Sequence, residues 1–186
     1  GMQSSAEVHI NENGTVMVIE GNPDIGGSRA SMCLMAAETL GVEYEKVRTQ
    51  VADTESTGFC NVTGGSRTTF ATGMAVTRAC EDVIAECKKR AAMTWGLDED
   101  QVDWADGQAI PGPGVNADVK PLSLADLAGK AAKTGGPIQG RASLNAQGAG
   151  ASFSVNFGDL RVDQETGKID VLSYTAVQDA GKAIHP

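Results

Sequence analysis

Gly64-Gly65-Ser66-Arg67-Thr68-Thr69-Phe70 opens the longest helical pattern of the chain, residues 66–93, and the reading of this stretch decides the fold. Phe70, Met74, Thr77, Cys80, Ile84 and Cys87 recur at three- and four-residue spacing, so their stripe is expected to face a core. Gly73 weakens the helix locally unless a neighbour packs closely against it. The Gly-Gly-Ser-Arg head occurs once more, as Gly26-Gly27-Ser28-Arg29, again directly before a helical pattern. That second pattern, residues 29–40, places Met32, Met35, Ala36 and Leu40 on one side and stops at Gly41.

Strand patterns surround these helices. Ala6-Glu7-Val8-His9-Ile10 and Thr15-Val16-Met17-Val18-Ile19 alternate around the turn Asn11-Glu12-Asn13-Gly14, which predicts an opening hairpin. Residues 47–52 read as a strand and 53–63 as a polar loop into the second glycine turn. A short hairpin is expected around Asp106-Gly107, followed by the breaker Pro111-Gly112-Pro113-Gly114. Ser123-Leu124-Ala125-Asp126 reads as a capping box for a short helix ending near Gly135-Gly136-Pro137. The small residues of 136–150 read as a loop or weak strand, and 153–162 and 168–177 as strands joined by Asp163-Gln164-Glu165-Thr166-Gly167. Strands with interposed helices and no regular βαβ alternation predict an α+β fold. The expected architecture is a mixed or antiparallel sheet with helices on one face and hairpins at both ends. One unit is expected over 1–186, with a candidate break near 111–122. The abrupt stop after two long strands reads as a piece excised from something larger.

With 41% hydrophobic and 21% charged residues the composition is that of an ordinary globular protein, and 4% aromatics leave the core to aliphatic side chains. A formal net charge of −9 argues against nucleic acid or an anionic membrane as the main partner. It leaves room for a phosphate ligand, because backbone amides act locally. No apolar run reaches membrane-span length and no signal-peptide core is present. Cys33, Cys60, Cys80 and Cys87 form no C-x-x-C pair, so no iron–sulfur or zinc site is indicated, and the chain reads as cytoplasmic.

The chemistry concentrates on the two glycine turns. A helix start presents amide N–H groups without intrahelical partners at the positive end of the dipole, and glycine lets an anion approach closely. The candidates are Gly26, Gly27 and Ser28 in the first turn and Gly64, Gly65, Ser66 and Thr68 in the second. Arg29 and Arg67 would either assist or pair with surface carboxylates. In a chain with 23 glycines, plain turns and caps are the competing reading. Neither turn carries the Lys-Ser or Lys-Thr of a P-loop, and Asp24-Ile25-Gly26-Gly27-Ser28 does not complete a dinucleotide fingerprint. His9 and His185 have no reason to meet a particular Ser or Cys, and the acidic runs Glu81-Asp82 and Asp98-Glu99-Asp100 read as solvated faces. Cys60 alone among the cysteines has a loop position compatible with reactivity, while the other three read as buried small hydrophobes.

Assembled in order, these motifs resemble the large, molybdopterin-binding subunits of the xanthine dehydrogenase and aldehyde oxidase family. The resemblance rests on Asp24-Ile25-Gly26-Gly27-Ser28, Ala37-Glu38-Thr39-Leu40-Gly41-Val42 and Val51-Ala52-Asp53-Thr54. It continues through Thr63-Gly64-Gly65-Ser66-Arg67-Thr68-Thr69 and Gly73-Met74-Ala75-Val76. Val162-Asp163, Thr166-Gly167-Lys168-Ile169 and Asp179-Ala180-Gly181-Lys182-Ala183-Ile184-His185-Pro186 close it. It implies a molybdenum hydroxylase in which both glycine turns help hold the pterin and its phosphates. The cofactor would be molybdopterin, in bacteria often as the cytosine dinucleotide. Partners would be the rest of the same subunit, iron–sulfur and FAD domains or subunits that take the electrons, and a small-molecule substrate.

Two departures qualify that expectation. Many members carry Gly-Gln-Gly where this chain has Gly26, Gly27 and Ser28, so a glutamine contact to the cofactor is missing or replaced by backbone. The family's catalytic glutamate falls in sequence beyond Pro186, so no residue here is assigned as catalytic or as a metal ligand. The isolated chain is expected to fold, to lack turnover and to lack the cofactor. The alternatives are a binding or assembly module that has lost the cofactor, or another phosphate-ligand-binding domain.

Overall fold

A computed structural model describes residues 1–115, 118–148 and 152–181, and the chain divides into two units, Gly1–Gln147 and Gly148–Pro186. The segment 111–122 lies inside the first unit. The expected α+β architecture is present.

The first unit is built on a four-stranded mixed sheet ordered β3-β2-β1-β7. Strands β1 (Gln3–Ile10) and β2 (Val16–Glu20) form the opening hairpin, with Val8 opposite Val18. Gly14 takes φ +79° in its turn, and Asn13 Oδ1 accepts from the Thr15 amide and hydroxyl. Ala6, Val8, Ile10, Val16 and Val18 all point to one buried face, as their period of two requires. Helix α1 (Ser28–Leu40) crosses over that face and returns the chain as β3 (Val47–Gln50), parallel to β2. One βαβ unit therefore sits within an otherwise antiparallel sheet. Gly41 closes α1 at φ +72°, and the amides of Gly41 and Val42 both bond Ala37 O.

Helix α2 (Gly73–Trp95) covers the rest of the same face, entered through a π-helical turn, Thr68–Thr72. Here one expectation is corrected. The inward face is Ala75, Val76, Ala79, Cys80, Val83, Cys87 and Ala91, whereas Met74 points outward and Phe70, Thr77 and Ile84 are half-buried. The reason is distance. Strand β7 (Gln139–Asn145) presents Gly140, and a Cβ there would collide with Ala79 O and lie 2.7 Å from Val83 N. Alanine faces let α2 come that close, so small residues line the contact instead of the larger ones. The two alternatives for 136–150, a loop or a weak strand, resolve in β7. Part of the small-residue stretch 136–150 is a seven-residue strand paired with β1, Val8 opposite Gly140. Residues 149 and 150 of that stretch lie outside the described residues. Gly73 has the close neighbour its position calls for, since a Cβ there would meet Met35 Sδ.

A second, three-stranded sheet contains β4 (Val102–Ala105), β5 (Gln108–Pro111) and β6 (Leu122–Ser123) in that order. The β4–β5 turn uses Asp106 at φ 48° and Gly107 at φ 72°, the positive pair that a two-residue hairpin favours. It docks on the end of α1, where Trp104 Nε1 donates to Leu40 O at 3.0 Å. Ser123 caps the short α3 (Leu124–Ala128) through the expected capping box, and α4 (Ala131–Thr134) follows. The second unit is one long hairpin of β8 (Phe153–Val162) and β9 (Ile169–Asp179). Its turn is organised by Asp163 Oδ1, which accepts from the amides of Glu165 and Thr166.

The α2–β7 approach can be tested directly in the full chain. Gly140→Ala should lower stability by about 3 kcal/mol, because a backbone carbonyl cannot move aside. Gly73→Ala should stay within about 1 kcal/mol of the parent, since the end of Met35 is flexible and alanine favours the helix. Urea midpoints of the two variants check the contrast.

Candidate functional site

The two glycine turns are neighbours in the fold. Asn22, four residues before Gly26, donates through Nδ2 to Asn61 O at 3.2 Å and to Thr63 Oγ1 at 2.9 Å, beside Gly64. Their local states differ. In the first turn Gly26 and Gly27 adopt φ +61° and +79°, conformations that themselves require glycine. Ser28 is buried, accepts from the Ile25 amide at 3.2 Å and donates to Pro23 O at 3.4 Å. The first helical amides are already engaged: Ser28 N bonds Ile25 O, Arg29 N bonds Asp24 Oδ1 at 2.9 Å, and Ala30 N bonds Gly27 O. Asp24 thus supplies the anion at the start of α1, and Arg29 pairs with the same carboxylate at 3.4 Å.

The second turn is differently disposed. Gly65 takes φ +64° and Ser66, without glycine's freedom, φ 58°. Gly64 has no positive φ, and a Cβ on it would meet nothing within 4 Å. Neither conformation nor packing within the chain explains a glycine there. Thr68 is buried and its Oγ1 has no hydrogen-bond partner. The π-helical turn follows at once, a distortion that often accompanies function.

Arg67 bonds carbonyls and a hydroxyl rather than a surface carboxylate, so that expectation for it is corrected. It is 4% exposed and donates to Asn61 O at 2.7 Å, to Gln3 O at 2.8 Å and to Ser4 Oγ. Thr72 Oγ1 donates to Asn22 Oδ1 at 2.6 Å and lies 3.2 Å from Ser4 Oγ. Beneath them lies Glu20, fully buried, with Oε2 accepting from the Asn22 amide at 2.5 Å and Oε1 unpartnered. Burial pushes its carboxyl up to about 7; the Asn22 amide lowers it, nearby Asp24 raises it, and Arg67 lowers it. This polar layer went unread in the sequence. One signal was available: Glu20 is in phase with Val16 and Val18, so alternation alone places its carboxyl on the buried face.

Other candidates resolve simply. Cys33, Cys80 and Cys87 are buried, and burial pushes the Cys80 and Cys87 thiols up to about 12. Cys60 Sγ rests against the Ser5 backbone, accepting from its amide and donating to its carbonyl, each at 3.4 Å. His9 pairs with Glu7 at 3.3 Å, while His185 and the motif segment 182–186 lie outside the described residues. Among the described residues no three His, Cys, Asp or Glu side chains cluster as metal ligands, and no helix is long and apolar enough to cross a membrane.

Comparison with known proteins follows this geometry. The molybdopterin cofactor-binding domain matches residues 1–186 of the chain. The carbon monoxide dehydrogenase large chain of Hydrogenophaga pseudoflava is 27% identical over 194 residues, covering 100% of this chain and 24% of its own length. The aldehyde oxidoreductase molybdenum-binding subunit of Escherichia coli K12 is 29% identical over 196 residues, covering 99% and 24%. In fold, quinoline 2-oxidoreductase from Pseudomonas putida 86 superposes at TM-score 0.78 and 22% identity, over 98% of this chain and 24% of that one. The chain spans about a quarter of the length of these relatives.

The Glu20 carboxyl predicts a pH dependence. Its folded value, about 7, lies above the ordinary 4.5, so the folded state holds the proton more tightly than the unfolded one. Its contribution to stability is complete below the ordinary value, is lost as pH rises to about 7, and is flat beyond. The full change corresponds to about 3 kcal/mol. Urea midpoints measured across this pH range should slope downward for the parent and flatten in Glu20→Gln.

Proposed function

The chain belongs to the molybdopterin cofactor-binding domain family, and we propose that it holds the phosphate-bearing part of that cofactor at the second glycine turn, within a xanthine dehydrogenase-like molybdenum hydroxylase. The observation that carries this reading is Gly64, where a side chain would meet nothing within 4 Å among the described residues. The residues fit the group. Gly64 and Gly65 give an anion access to backbone, Ser66 adds an exposed hydroxyl, and Thr68 Oγ1 is a buried polar atom without a partner. Amides at a helix start are aimed before the ligand arrives, so they stabilise negative charge without reorganising. Such a local site is compatible with a net charge of −9.

Gly26, Gly27 and Ser28 form the secondary contact in this reading. With Asp24 on the Arg29 amide and the Ser28 hydroxyl turned inward, they offer close backbone approach rather than free donors. When bound, molybdopterin supplies the redox-active metal centre of a hydroxylation. This chain's own task is to bind and orient that group and to keep its phosphates off water; no residue here handles the reacting atoms. In bacteria the cytosine dinucleotide form is the proposed cofactor. The proposed partners are the remainder of the same subunit, iron–sulfur and FAD domains, and a small-molecule substrate, in the cytoplasm. Nucleic acid and membrane are not proposed. The 186-residue chain by itself is expected to be inactive and cofactor-free.

One observation favours a second reading, a module that no longer holds the cofactor. Asp24 occupies the start of α1 where an anion would otherwise sit, and Gly27 stands where many relatives place glutamine. The protein containing this domain at its natural length separates the two. We expect it to carry molybdenum and releasable pterin near one equivalent, and Gly64→Val to lose at least tenfold of both with its thermal midpoint unchanged. Gly26→Ala, strained at φ +61°, should lower the midpoint with a smaller loss of pterin. Full pterin retention in Gly64→Val would overturn the assignment.

A further inference from the structure

We infer that Ser4, Asn22, Arg67 and Thr72 form a closed hydrogen-bonded ring that holds the two glycine turns at one fixed separation, with Ser4 and Thr72 as positioning residues for the anion site. This inference rests on the cofactor reading of the second turn given above.

The ring can be followed atom by atom. Arg67 Nη1 and Asn22 Nδ2 both donate to Asn61 O, at 2.7 and 3.2 Å. Arg67 Nη2 donates to Ser4 Oγ, Ser4 Oγ lies 3.2 Å from Thr72 Oγ1, and Thr72 Oγ1 donates to Asn22 Oδ1 at 2.6 Å. Proton counting sets its direction. Thr72 has one hydroxyl proton and spends it on Asn22, so Ser4 must donate to Thr72 while accepting from Arg67. Arg67 has no acceptor and keeps its charge, so the sense cannot reverse.

The ring links four separate places: β1 through Ser4, the approach to the first turn through Asn22, the approach to the second through Asn61, and the entry to α2 through Thr72. Its four side chains are buried, at 0%, 2%, 4% and 0% exposure for Ser4, Asn22, Arg67 and Thr72. In that low-dielectric setting each lost link strands a polar group, so the ring behaves as a unit. The first turn is braced by its own hydrogen bonds, and the glycines of both turns face open space among the described residues. A Cβ at Gly26, Gly27, Gly64 or Gly65 would meet no atom within 4 Å. Their placement therefore depends on what anchors their flanks, and the ring anchors both.

The test uses the protein at its natural length. Thr72→Val removes one hydroxyl at constant shape, Thr72→Ser restores it, and Ser4→Ala cuts a different link should the first variant fail to fold. The readouts are amide hydrogen exchange at residues 24–28 and 63–68, thermal midpoint and retained pterin. We expect Thr72→Val to speed exchange at least tenfold in both turns and to lose several-fold of the pterin, with Thr72→Ser near the parent. Val102→Ala, a core truncation in β4 of the second sheet, serves as a control for general destabilisation and should leave the two turns no looser than the strands. Exchange that rises in one turn only, in neither, or equally in the control overturns the ring. If Thr72→Val loosens both turns while Gly64→Val keeps its pterin, the cofactor reading fails and the ring stands. If Gly64→Val loses pterin while both turns stay protected in Thr72→Val, the ring fails and the site stands.

Discussion

The burial of Arg67 is the constraint on which the site depends. A guanidinium cannot shed its charge, so it is tolerated in the interior only where carbonyls and hydroxyls surround it. Here the first strand provides Gln3 O and Ser4 Oγ, and the loop before the second glycine turn provides Asn61 O. Partnering the two terminal nitrogens of one cation, whose Nε stays unpartnered, thus obliges the start of the chain, that loop and the entry to α2 to meet. The nearby Glu20 carboxyl belongs to the same economy of charge: burial favours its neutral form, and Arg67 works against that from a distance.

A second constraint, the close approach of α2 to the sheet, is geometric. Large side chains normally set the distance between a helix and a sheet, but Gly140 and Ala79 remove them at the tightest point. The consequence is a layer thin enough for the α2 entry to reach β1, where Thr72 finds Ser4. Small residues at the contact and polar residues at the turn are therefore parts of one arrangement.

These two features explain what was legible in the sequence. Elements announced by alternation or by capping chemistry were readable: the opening hairpin, the α1 stop at Gly41, the capping box at Ser123 and the Asp106-Gly107 turn all occur. Elements that work by smallness were not. A stripe of Phe70, Met74 and Ile84 looks more like a core face than Ala75, Ala79 and Val83, because hydrophobicity scales reward size while packing rewards fit. Strand β7, read as a loop or a weak strand, was only half visible for the same reason: Gly140 and Ala142 carry too little side chain to signal a strand firmly, although β1 pairs with them throughout. The two glycine turns before helices were legible in the sequence, and the polar layer beside them was not. Hydrogen-bond partners separated by fifty or more positions, such as Asn22 with Thr72 or Ser4 with Arg67, leave no local pattern.

The repeated Gly-Gly-Ser-Arg is therefore one motif in sequence and two devices in space. In the first copy Arg29 turns outward to Asp24, the glycines serve backbone conformation, and the helix start is already neutralised by a carboxylate. In the second copy Arg67 turns inward, which brings Thr68 into the interior beside it and leaves Gly64 exposed above. Identical residues take opposite roles because of what each arginine meets: the carboxylate of Asp24, five positions upstream, for Arg29, and two backbone carbonyls and the Ser4 hydroxyl for Arg67. A buried cation adds to the field at the turn without reaching outward to a ligand itself. That asymmetry, rather than the repetition, distinguishes the two turns.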